Sequence, residues 1–203
     1  RLEALVDALV YERVIVPIDV EPDPRVTGVH AGERGHNPID FVRAQTPAGE
    51  ALAIYSSVRA LSAHRPGARP MALDFRTIGL TALVETGGRV VVNPGTDAVL
   101  LPRPAVAALA QGDEWLPAWR DEALCELLLV EATAACPDIV DLEIAYAGDG
   151  LTRVLVSVDR ASFAQGEGAS SMKAALSAAL NAVGTNPRLI VSADRVEIAP
   201  VLR

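Results

Sequence analysis

Imidazoles and carboxylates gather once along the chain, where His30, Glu33, His36 and Asp40 share a stretch rich in proline and glycine. Such side chains suit zinc or a similar cation. Their spacing matches no compact metal motif, so the stretch reads as a solvated loop and no metal site is expected. A cysteine nucleophile needs a base and an orienting group. Cys125 sits among leucines in a helical run, where a thiol is inert core material. On one helix, Cys125 and Cys136 would stand roughly 16 Å apart along the axis. A disulfide allows about 7 Å between Cα atoms. Both thiols are therefore expected to be reduced, as in a cytoplasm. Ser56-Ser57 and Ser170-Ser171 lack a nucleophile elbow around them and read as helix caps. Gly166-Glu167-Gly168 precedes a helix but lacks the lysine of a phosphate loop, and reads as a flexible connection. His64 falls at a helix end beside Arg65, and no chemistry is assigned to it. Asn93-Pro94-Gly95 is a place where a ligand can lie, although a tight turn already accounts for it. Trp115 and Trp119, the two tryptophans of the chain, flank Pro117. Tryptophan is enriched at binding hot spots, and it also staples elements together. These two are the candidate binding residues. No catalytic residue and no cofactor are expected.

Those side chains need elements to hold them. Leu2, Leu5, Val6 and Leu9 recur at helical spacing and predict a helix over residues 2–10. Val14, Val16, Ile18 and Val20 alternate with Arg13 and Asp19, which predicts a half-buried strand. Pro17 has no donor, so that strand is expected at an edge or with a bulge. Residues 21–49 show no period and are expected to lie mostly outside regular structure and to be mobile. A strand over 51–55 follows, then a helix capped by Ser56 or Ser57 through about residue 63. Next come a strand at Arg69–Asp74 and a helix at Phe75–Glu85 stopped by Gly87-Gly88. Strands over 89–92 and 98–101 flank the Asn93-Pro94-Gly95 turn, and Pro104 opens a helix closed by Gly112. Residues 113–120 lack periodicity. Asp121 then caps a helix ended by Pro137. Val140, Leu142, Ile144 and Tyr146, the turn Gly148-Asp149-Gly150, and Thr152, Val154, Val156 and Val158 predict a β-hairpin. A helix over 170–183 ends at Gly184, and residues 189–199 read as one bent strand or two short ones.

Composition bounds the functions. Half of the 203 residues are hydrophobic and 22% are charged, enough for one large domain or two small ones with their own cores. Aromatic residues make up only 4%, so few rings are offered to a cofactor or a base. The formal net charge is -8 and no basic run occurs. A duplex binder needs a cationic face to displace counterions, so no nucleic-acid partner is expected, nor an anionic lipid surface. No segment approaches the about 20 apolar residues of a membrane span, and no basic, then apolar, leader is visible. A cytoplasmic location is expected.

The strand Leu52-Ala53-Ile54-Tyr55-Ser56, the helix with Val58 and Leu61, the strand from Pro70 to Asp74 and above all Val91-Val92-Asn93-Pro94-Gly95 form a recognisable series. Over roughly residues 2–112 it resembles the N-terminal domain of the bacterial SseB family, named for enhanced serine sensitivity. Residues from 121 onward resemble the family's more variable C-terminal region, while the long 21–49 segment departs from its pattern. The resemblance brings no catalytic residues. The expected fold is α+β: a short mixed sheet with interleaved helices in the N-terminal half, and an α-β-β-α-β antiparallel sheet with helices in the C-terminal half. The expected domains are 1–112, SseB N-terminal-like with a mobile loop over 21–49, and 121–203, joined by a seam or linker at 113–120. Trp115 and Trp119 are expected to pack between the halves. The expected function is a cytoplasmic regulatory or protein-interaction module, acting on an unidentified protein partner or by self-association. A sensor of an amino-acid-related metabolite, implied by the family name, is the alternative, and an unrecognised enzyme comes third.

Overall fold

The computed structural model describes residues 1–18, 41–163 and 169–203. His30, Glu33, His36 and Asp40 lie outside the described residues, as do Gly166-Glu167-Gly168 and most of the 21–49 segment. The chain divides into two compact units, one of residues 1–101 with 106–113 and one of residues 102–105 with 114–203. Each combines helices with a sheet, so the fold class is α+β.

The first unit runs through α1 (Leu2–Leu9), β1 (Arg13–Ile18), β2 (Arg43–Thr46), β3 (Gly49–Ile54) and α2 (Val58–His64). It continues with β4 (Arg69–Asp74), α3 (Phe75–Glu85), β5 (Val90–Val92) and β6 (Val99–Leu101), and the chain then enters α4 (Arg103–Gln111). β1 and β4 pair antiparallel with Pro17 opposite Pro70. Ile15 exchanges both backbone hydrogen bonds with Tyr55, at 2.9 and 2.7 Å, so its polar groups turn away from β4. Alternation turns Pro17 the same way, and the two prolines meet where neither needs an N–H.

One part of the patternless stretch proves regular, a short element that the sequence reading of 21–49 did not foresee. Residues Arg43–Thr46 form β2, an edge strand antiparallel to β3. Four residues are too few to display a period. The strand is held instead across the ladder, where Arg43 and Gln45 reach Glu50 at 3.5 and 3.3 Å. The sheet order is β2-β3-β5-β6, and β3 and β5 are its parallel neighbours. Ala51, Leu52, Ala53 and Ile54 of β3 and all of β5 are buried, the continuous apolar run that a covered parallel pair requires. α3 buries Phe75, Ile78, Gly79 and Ala82. A Cβ on Gly79 would come within 2.9 Å of Ala110 Cβ and 3.3 Å of the Val106 carbonyl, so the missing side chain lets α3 and α4 approach closely.

The second unit contains a short 3-10 turn (Ala118–Arg120), α5 (Glu122–Ala135), β7 (Ile139–Gly148) and β8 (Leu151–Val158). α6 (Arg160–Phe163), α7 (Ala169–Thr185), α8 (Pro187–Ser192) and β9 (Arg195–Leu202) follow. Asp121 caps α5 as expected, its Oδ1 accepting from the Leu124 N–H at 3.0 Å. The hairpin β7–β8 forms, but an irregularity between Ile139 and Asp141 changes the phase of β7. Ile139 and Leu142 are therefore both buried and Val140 is left 57% exposed. The core is aliphatic, with Leu124, Leu128 and Ala132 of α5 packed with Val154, Val156 and Val158 of β8 and Val183 of α7.

Two expectations for this unit are corrected. Residues Pro187–Ser192 are helical and not a strand, because Asn186 Oδ1 accepts from the Arg188 and Leu189 N–H groups and Pro187 occupies the first turn. β9 also joins β8 in parallel, so the sheet β7-β8-β9 is mixed and not antiparallel throughout. The helices between them return the chain to the starting end of β8, which dictates that direction. The N–H of Arg195 donates to the carbonyl of Gly150, just before β8, and the N–H of Arg203 donates to the carbonyl of Val158 at the end of β8. Alternation then turns Pro200 toward the open edge, where its missing donor costs the ladder nothing and discourages edge pairing.

Candidate functional site

In the first unit, polar side chains meet at the carboxyl ends of the parallel strands β3 and β5. Asn93 has φ 51 and Gly95 has φ 89, left-handed conformations that asparagine and glycine tolerate best. The turn points Asn93 back across the sheet, where its Oδ1 accepts from the Ser56 N–H at 2.9 Å. Its Nδ2 lies 3.0 Å from Ser56 Oγ. Ser57, and not Ser56, caps α2, accepting from the Ala60 N–H. His64 closes the same helix with Nδ1 2.8 Å from the Tyr55 hydroxyl. Gly95 lies so close to the His64 ring that a Cβ there would overlap it. Tyr55 is 1% exposed, and burial pushes its hydroxyl above the ordinary tyrosine value, with Arg65 opposing. The phenol thus stays protonated at neutral pH. Either it donates to Nδ1 and leaves Nε2 carrying a proton, or it accepts from Nδ1 and leaves a lone pair on Nε2. Both states fix the ring. Ser56 gains no base from this arrangement, because the Asn93 amide cannot take a proton from its hydroxyl.

The second unit brings the two tryptophans together. Their ring centroids are 5.6 Å apart in an edge-to-face arrangement. Tyr146 of β7 joins them, its ring 4.9 Å from that of Trp119. Both tryptophans are half-buried, and Leu116 between them is 56% exposed. Trp115 Nε1 is buried without a hydrogen-bond partner among the described residues. The Tyr146 hydroxyl accepts from the Gly150 N–H at 3.4 Å, and burial pushes it upward as well. Sequence reasoning found the tryptophans and missed Tyr146. Its alternation in β7 predicted a place on the hairpin but carried no sign of the ring that would meet it.

The thiols stand apart from both clusters. Cys125 lies on α5 and Cys136 is the residue that caps it, one position past the helix on which it was expected. Both are free. Cys125 donates to the Leu142 carbonyl at 3.2 Å. Burial and the nearby Asp141, Glu126 and Glu143 push its thiol upward, the opposite of an activated nucleophile. Among the described residues no three metal-ligating side chains gather to hold an ion.

An α+β chain in which polar side chains join the ends of two parallel strands is the class of protein these features define. The family profile described as the SseB protein N-terminal domain matches residues 1–108. The chain belongs to the SseB family. No curated protein and no solved structure gave a significant match.

Proposed function

We propose that this chain is a cytoplasmic regulatory or protein-interaction module, and that Trp115 and Trp119 contact a protein partner or a second copy. The observation that carries this reading is the aromatic cluster itself. Two tryptophan rings and Tyr146 interlock beside the exposed Leu116. Interlocked rings have little rotamer freedom left to lose on binding, and large aromatic surface next to an open aliphatic side chain is the composition of a hot spot. The free thiols agree with a reducing compartment. Among the described residues no helix is long and apolar enough to cross a membrane.

Affinity purification on the immobilised chain, run in parallel with a Leu116→Asp form, tests the reading. Leu116 is exposed, so the substitution leaves the fold intact. The expected result is a protein, or the chain itself, retained by the parent and lost with Leu116→Asp at equal thermal stability. Retention by both forms, or by neither, rejects it.

A further inference from the structure

Three helix ends surround one cleft in the first unit, formed by the end of α1, the start of α3 and the end of α4, with a volume of about 220 Å³. Its floor is apolar, with Leu9, Phe75 and Leu109 only 6%, 2% and 7% exposed. Its rim carries Glu12, Arg76 and Asp113. Asp74 also lines the cleft but pairs with Arg13 at 3.5 Å. Among the described residues the side chains of Glu12, Arg76 and Asp113 make no ion pair or hydrogen bond. Charges of both signs thus border the same apolar floor without meeting.

The backbone repeats that arrangement. α1 and α4 turn their carboxyl ends to the cleft, beside Glu12 and Asp113. α3 turns its amino end, beside Arg76, and Asp74 makes no capping bond from its side chain to the first turn. Helix carboxyl ends carry partial negative charge and amino ends partial positive charge. The dipoles thus agree in sign with Glu12, Asp113 and Arg76, while Asp74 at the amino end of α3 is drawn to Arg13.

We propose that this cleft binds a free aliphatic α-amino acid. Its ammonium group faces Glu12 and Asp113, its carboxylate faces Arg76 and the first-turn amides of α3, and its side chain rests on Leu9, Phe75 and Leu109. A bare cation would leave Arg76 and the floor unused. A simple amine or carboxylic acid would satisfy one end only. The volume suits a molecule of leucine's size and falls short of the about 300–1,000 Å³ of drug-sized sites. This inference concerns other residues than the tryptophan surface and stands or falls without it.

Calorimetric titration of the whole chain with L-leucine, leucine methyl ester and 4-methylpentanoate tests it. The ester lacks the carboxylate and 4-methylpentanoate lacks the ammonium group. The expected result is saturable binding of leucine, with each analogue weaker by about fivefold or more, the loss of one charge-assisted contact. Arg76→Gln should remove the preference for leucine over the ester. The pair Glu12→Gln and Asp113→Asn should remove the preference over 4-methylpentanoate. Leu109→Trp should fill the floor and abolish binding, while the rim variants, all at exposed positions, keep the test valid if that form fails to fold. Absence of leucine binding, equal binding of all three compounds, or rim variants that bind as the parent does would each overturn the proposal.

Discussion

Asn93 and Gly95 hold the first unit's polar cluster through backbone shape as much as through side chains. At φ 89, Gly95 lets the turn approach His64. Gly95→Ala should lower stability by about 1–3 kcal/mol, through strain at positive φ and overlap with the ring. His64→Ala should recover the overlap portion, which a double-mutant cycle by thermal unfolding measures. At Cys125, burial first and then Asp141, Glu126 and Glu143 raise the thiol. Alkylation of the native protein at neutral pH should be slower than for a free thiol, and should accelerate only at a more alkaline pH than a free thiol needs. The raised hydroxyls of Tyr55 and Tyr146 set a further pH dependence. The folded state retains protons that the unfolded chain releases near pH 10, so their contribution is complete below about 10 and declines as pH rises through the folded values. Tyr55→Phe and Tyr146→Phe should flatten that alkaline decline in denaturant melts. At this scale the sequence disclosed residue types and local turns, including Asn93-Pro94-Gly95 and the helix end at His64. It did not disclose that Asn93 would meet Ser56, because a bond between side chains far apart in sequence leaves no period.

Caps and glycines decide where the elements stop and how closely they pack. Asp121 both caps α5 and lies 2.8 Å through each oxygen from Arg188 Nη2. Asp121→Ala should therefore lower stability by about 1–3 kcal/mol, more than loss of a cap alone. Asp121→Asn keeps an oxygen for the cap and should lower it less. Gly79→Val should lower it by about 1–3 kcal/mol by forcing α3 from α4, since the new side chain would begin 2.9 Å from Ala110 Cβ. Urea unfolding of these three variants checks both points. The helices with clear stops, such as Phe75–Glu85 before Gly87-Gly88, were legible because glycine supplies the left-handed exit. The misread elements are short. β2 has four residues and α8 has six, lengths over which strand and helix periods cannot be told apart. The Asn186-Pro187 pair was a start signal for α8 that the apolar run after it obscured.

Across the whole chain, the family was legible because the SseB-like residues 52–56 and 91–95 form the buried parallel core pair and the turn that follows it. The direction of β9 was misread, although the helix expected over 170–183 between β8 and β9 is the crossover that a parallel neighbour requires. Function lay further from reach, because an interaction surface is made of ordinary apolar residues whose grouping arises only on folding. Trp115 and Trp119 were visible as types, while their interlocking with Tyr146 was not. The interaction reading is tested most directly by amide hydrogen exchange on the chain, alone and with the protein it retains. Slowed exchange over residues 113–120 and around Tyr146 is the predicted result. Unchanged exchange there, with protection confined to the carboxyl ends of β3 and β5, would contradict the reading.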